Sequence, residues 1–295
     1  MTRRTAIVLA AIGALCAALP ALAQGAPPED RAPTDNTIVV TGDKDEPTNS
    51  TIIDQARDLS GVSRYQLYEE ALPRFTDPLC PRIFGADSVE QAREIVERIR
   101  ANTARIDLKV ADGPCVPNII IAFVEDSGSF VKRLARGRSG IFRLIAAPER
   151  AEVMEENAPV RVWNNIGLVW TGNGDPPIGW PKARPSVRGQ LARPSMPEGK
   201  IISSAAVLFE REAVQGLSMT QVADYALMRA LTHTRPGTGN EPLATILALF
   251  ADDTPPEEMT SFDIGYLRSL YRGPINQSAA SRFVRIRSEV EKAQE

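Results

Sequence analysis

The chain of 295 residues is 43% hydrophobic and 24% charged, with 20 Gly, 23 Pro and a single His. That is the make-up of an ordinary globular protein, and it excludes a fibrous or wholly disordered chain. A net charge of −3 argues against a general nucleic-acid binder, and one His removes every site that needs two or three imidazoles.

Arg3 and Arg4 precede an apolar run from Ala6 to Leu19, and Pro20 then leads into Ala21-Leu22-Ala23, a small-residue cleavage pattern. Residues 1–23 read as a secretory signal peptide, with Gln24 as the mature N-terminus. At about 14 residues the run falls short of the roughly 20 that cross a bilayer. No later stretch is long and apolar enough to do so, and Leu15 before Cys16 is too large for lipoprotein cleavage. The expected location is therefore periplasmic or secreted, without a membrane span. In that oxidising setting Cys80 and Cys115 read as one structural disulfide, contributing roughly 3–4 kcal/mol through loop closure.

Residues 24–50 are dominated by Pro, Asp, Glu, Asn and Thr. They bury too little to offset their ordering entropy, so a disordered leader is expected there. Within it, Thr37-Ile38-Val39-Val40-Thr41-Gly42 resembles the segment before the plug of TonB-dependent outer-membrane receptors. That resemblance implies a weak TonB-type contact by strand addition; the alternative is a linker with a few aliphatics.

The folded body is expected over 51–275. Asp87-Ser88-Val89-Glu90 looks like a capping box for a helix carrying Val89, Ala92, Val96, Ile99 and Thr103 on one stripe. Asn118 to Val124 is a short β-branched apolar run, read as a buried strand. Ser127 to Arg136 reads as a second helix, and Val160 to Trp170 and Ile201 to Phe209 as further strands. The long Gly- and Pro-rich connection between those strands carries Trp180, Lys182, Arg184, Arg188, Arg193 and Lys200. These residues offer a contact for an anionic or carbohydrate-bearing partner, or form a solvated basic loop. Ser218-Met219-Thr220-Gln221 is a capping box, and Pro236-Gly237 ends the helix it opens. Thr260-Ser261-Phe262-Asp263 opens another helix, with Met259 and Ile264 placed as a hydrophobic staple. Residues 276–295 form a charged helical tail.

The segment from Gln221 to Pro274 resembles the catalytic end of zincin metallopeptidases of the matrixin type. There a helix with V-A-x-H-E-x-x-H-x-L-G-x-x-H is followed by a short turn and an L-T-x-x-D-I-x-x-I-x-x-L-Y-G helix. Here the helix runs from Val222-Ala223 through Tyr225, Ala226, Arg229, Leu231 and Thr232 to Arg235; the turn is Thr245-Ile246-Leu247; and the later helix runs from Met259-Thr260 to Tyr271-Arg272-Gly273. The same ending resembles a family of exported alphaproteobacterial proteins. The resemblance implies an α+β, zincin-like fold: a mixed twisted sheet flanked by helices, with a C-terminal helical subdomain.

The chemistry of that family is not carried over. Two His at i and i+4 on one helix face bind zinc, and the Glu between them activates water. Matched position by position, Tyr225 and Arg229 stand at those two ligands, Ala226 at the base and Arg235 at the third ligand, while Thr232 replaces the turn glycine. Ala cannot act as a base, and Arg cannot ligate a cation. No catalytic residue, metal or cofactor is therefore expected. Tyr225, Arg229 and Arg235 either plug the former cleft, through hydrogen bonds to carbonyls or to a carboxylate such as Asp224 or Glu241, or bind an anionic group there. The reading is an exported non-catalytic envelope protein that binds or scaffolds another envelope protein, a peptide or an anionic polymer. The alternative is a metal-independent hydrolase of envelope polymers or peptides, with His233 or a carboxylate pair as base.

Overall fold

The Thr48 hydroxyl accepts the Thr51 N–H and opens helix α1 (Asn49–Ser60), which the chain leaves through Gly61 at φ 68°. The computed structural model describes residues 48–137, 142, 145–155, 158–171 and 198–294. The elements that follow are β1 (Pro81–Phe84), α2 (Val89–Arg105), β2 (Ile119–Val124), α3 (Ser127–Arg136), α4 (Ala147–Glu155), β3 (Val160–Trp170), β4 (Glu198–Glu210), α5 (Met219–Leu231), α6 (Ser261–Tyr271) and α7 (Ala279–Gln294). Short 3-10 turns lie at Glu212–Val214 and Ile246–Ala248.

The strands form one sheet in the order β1-β2-β4-β3, with β1, β2 and β4 parallel and β3 antiparallel at the edge. The chain is thus α+β with a mixed sheet, as the sequence led us to expect. Alternation along β4 divides the core. Ala205, Val207 and Phe209 join the large cluster beneath α2, α5, α6 and α7, while Ala206 and Leu208 join Val131, Val153 and Trp163 under α3 and α4. Helix α5 lies in the middle of the large cluster, and every residue from Val222 to Leu231 is buried. Each large apolar side chain there contributes about 1.5–3 kcal/mol over its exposed state.

Both later capping boxes form. Ser218 and Gln221 cap α5 reciprocally, Thr260 and Asp263 cap α6, and Met259 and Ile264 are both buried. The box expected at Asp87–Glu90 does not form: Ser88 caps α2 by accepting from Gln91, and Gln91 returns a bond to the Asp87 N–H. The buried stripe of α2 is also rotated from the expected one. Ile95, Ile99, Asn102 and Thr103 face inward, whereas Val89 is 79% exposed. Asn102 is drawn in by a buried carboxylate on α5, described below, and that polar contact outweighs the apolar pattern.

Residues 276–295 are not an appended tail. Phe283, Ile286 and Val290 of α7 are buried in the same core as α6. Two buried guanidiniums also hold the end of α6, one from the stretch before β1 and one from α7. Arg74 donates to the carbonyls of Leu270, Tyr271 and Gly273, and Arg282 donates to those of Ser269, Leu270, Arg272 and Pro274. These cations satisfy the open carbonyls at the end of α6, where the helix dipole favours positive charge. At the other end, α1 starts inside the stretch expected to be disordered, because the Thr48 cap and Ile52 and Ala56 in the core hold it. The rest of the leader, the signal segment and Thr37–Gly42 lie outside the described residues.

The disulfide between Cys80 and Cys115 is present, with Cα atoms 6.1 Å apart. It joins the entry of β1 to the segment leading into β2. No helix among the described residues is long and apolar enough to cross a membrane.

Candidate functional site

Helix α5 presents two polar faces, and they do different work. On one, Asp224 is fully buried and accepts four hydrogen bonds: Nε and Nη2 of Arg98, each at 2.7 Å, Nδ2 of Asn102 at 2.6 Å and the Met259 N–H at 2.7 Å. This fork pins α5 to α2 and to the entry of α6. The carboxylate raises the Arg98 pKa further above its ordinary value, with Glu258 adding to the effect. Asp224 is thus committed away from Tyr225 and Arg229. Glu241 is committed too, accepting the Thr238 and Gly239 N–H groups. The carboxylate plug expected from the sequence does not form with either residue.

On the other face, Arg229 Nη1 donates to the Tyr225 hydroxyl at 2.8 Å across one helical turn, and the guanidinium carbon lies 5.7 Å from the Tyr225 ring centre. The Tyr225 ring is held edge-on by Phe250, with centroids 5.0 Å apart, and packs on Phe209. Ala226 between them is wholly buried. Arg229 is only 7% exposed; its Nε is buried without a partner, and it forms no ion pair with any described residue. A buried guanidinium N–H with no acceptor carries a cost, which an acceptor supplied from the cleft would relieve.

That guanidinium opens into a cleft of about 550 Å³. One wall is the end of α1 and the stretch after it, from Ser60 to Pro73; a second is the edge strand β3, through Val162, Asn164 and Ile166; a third is α4, through Glu149 and Glu152. The end of α5 and the residues beyond it, Arg229 and His233 to Pro236, line it too, with Lys200 of β4 and Tyr266 and Leu270 of α6. The Asn164 side chain bonds the Ala230 carbonyl and fixes the edge strand against α5.

Thr232, standing where a turn glycine was expected, has φ −130° and ψ 156°, an extended backbone that suits any residue. Its hydroxyl donates to the Met228 carbonyl and shares a hydrogen bond with Thr234. The chain then runs out along α1, where the Arg235 N–H donates to the Leu59 carbonyl. The Arg235 guanidinium passes over Gly61; a Cβ there would meet Nε at 3.0 Å, so this glycine serves both its left-handed φ and the approach of the side chain.

The charges in the cleft are mixed. Lys200, on β4, is neutralised by Glu70 at 2.7 Å. Burial pushes the Glu149 carboxyl above its ordinary value; the Asn164 backbone N–H that it accepts opposes this, and the Glu152 charge adds to the rise. The His233 ring stands at the cleft mouth. The protein mass around it pushes its pKa down, and the charges of Arg229, Lys200 and Arg235 push the same way, against Glu152. The cationic form of His233 is thus disfavoured, and the ring has no partner imidazole. Among the described residues no three His, Cys, Asp or Glu side chains cluster to hold a metal.

Of the positions matched to the zincin helix, Arg229 and Arg235 line the cleft, together with His233 and Lys200, while Tyr225 and Ala226 are buried in the core. Trp180, Lys182, Arg184, Arg188 and Arg193 lie outside the described residues. Sequence reasoning did not find the acidic wall at Glu149 and Glu152 or the edge amide of Asn164, because only the fold brings them opposite α5. No family model matches the chain, and no curated protein or solved structure is significantly similar to it.

Proposed function

We propose that the chain is an exported, non-catalytic protein of a degenerate, zincin-like metallopeptidase fold, whose cleft binds a peptide segment in the cell envelope. One observation carries the reading: the helix face that would have to hold a metal presents a core-buried Tyr225 bonded to Arg229, and Arg229 in turn lines a cleft. A phenol held by a guanidinium and a buried alanine supply neither a cation site nor a base. Strand β3, outermost of the described strands, runs along one wall through Val162, Asn164 and Ile166, which supports as the occupant an extended peptide laid beside a strand.

The test uses a short fluorescence-quenched peptide with a free C-terminus, added to the purified full chain. Saturable binding without cleavage is the expected result. Cleavage that a metal chelator abolishes would overturn the non-catalytic reading, and absence of binding at millimolar peptide would overturn the cleft as a peptide site.

A further inference from the structure

The cleft is polarised in a way that selects among peptide ligands. At the α5 end stand Arg229, without an ion-pair partner among the described residues, and Arg235 beyond it. On the α4 wall stand two carboxylates, Glu149 and Glu152, and the remaining acid, Glu70, is already bound to Lys200. A polyanion entering this space would meet Glu149 and Glu152 as like charges. A ligand with one anionic end and one cationic end meets an opposite charge at each.

We infer that Arg229 receives the C-terminal carboxylate of a short peptide whose backbone lies along β3. Only a guanidinium offers a planar fork that fits a carboxylate with two parallel hydrogen bonds. Tyr225 takes one donor of Arg229 and, being packed against Phe250 and Phe209, fixes the plane of the fork before any ligand arrives. Such pre-organisation lowers the ordering cost of binding. The Arg229 charge, without an ion-pair partner among the described residues, is matched when the ligand carboxylate enters.

This inference rests on the peptide-binding reading above, and its test separates the two. Tri-alanine, tri-alanine amide and inorganic phosphate are titrated into the full chain by calorimetry. Tri-alanine is expected to bind, its amide to bind roughly tenfold more weakly or worse, and phosphate to compete poorly. Arg229→Lys keeps a charge but not the fork, and is expected to lose most of the preference for the acid over the amide. Equal binding of acid and amide would overturn the carboxylate assignment while leaving peptide binding intact. Phosphate competing as well as tri-alanine would show a general anion site and overturn it as well. No binding of any probe would remove both readings. The amide comparison is made on the native chain, so it holds even if an Arg229 variant fails to fold.

Discussion

Asp224 is a fully buried carboxylate that ties α5 to α2 and to the entry of α6, and Asp224→Asn tests that directly. The two chains differ by little in volume, so the effect isolates charge and hydrogen-bond direction. In the native protein the two oxygens accept four donors, two of them from Arg98, and the side chain is inaccessible to water. An asparagine presents one acceptor oxygen and one NH₂. Wherever the NH₂ is placed it faces a donor, from Arg98 or Asn102 on one side, or from Arg98 and Met259 on the other. Removing one partner of a buried ion pair costs about 3–5 kcal/mol. Arg98 is 23% exposed and keeps Glu258, so the lower end of that range applies, about 3 kcal/mol. Equilibrium urea unfolding followed by circular dichroism should show a lower midpoint with an unchanged slope. A loss below about 1 kcal/mol would refute the reasoning, because it would mean the fork contributes no more than a surface pair. Arg98→Met combined with Asp224→Asn should lose much less than the sum of the single changes.

Reducing the disulfide releases a link spanning 35 residues of chain. The loop-closure cost is about 3–4 kcal/mol, or roughly ten degrees of Tm in a domain of this size; an unchanged melting curve under reductant would contradict it. Gly265 lies where α6 meets α7, and an added Cβ would fall inside Val290, reaching its backbone as well as its side chain. Gly265→Ala should therefore cost about 1–3 kcal/mol by overpacking, read as a lower unfolding midpoint. A neutral substitution would mean that α7 does not pack as described. The His233 pKa is lowered from the ordinary value of 6.5, so the unfolded chain binds the proton more tightly than the folded one. That contribution to stability is present above the unfolded pKa and is lost as pH falls below it. Glu149, with its raised pKa, acts in the opposite sense. The comparison with His233→Gln therefore isolates the histidine: wild type should lose stability relative to the variant between about pH 7 and pH 5. Parallel pH profiles would contradict this.

The parts of the fold legible in sequence are those fixed by neighbours along the chain. The capping boxes at Ser218 and Thr260, the strand from Val160 to Trp170 and helix α3 depend on local spacing, and they lie where that spacing places them. Strand β1 is four residues beginning with Pro81, too short for any alternation to register. Helix α1 was hidden by its polar composition, which resembles that of the leader before it. In the site, the Tyr225–Arg229 pair follows from i, i+4 geometry and was legible. The partner of Asp224 was not, since Arg98 lies 126 residues away, and a buried aspartate in an apolar helix gives no hint of which cation reaches it.

The central claim is that the face of α5 opening into the cleft meets its ligand through a guanidinium and not through a metal. Equilibrium dialysis of the full chain against micromolar zinc, with the bound metal counted by elemental analysis, tests this most directly. The account predicts no stoichiometric zinc and the same residual amount in Arg229→Ala. One zinc per chain, displaced when Tyr225 or His233 is replaced, would contradict it.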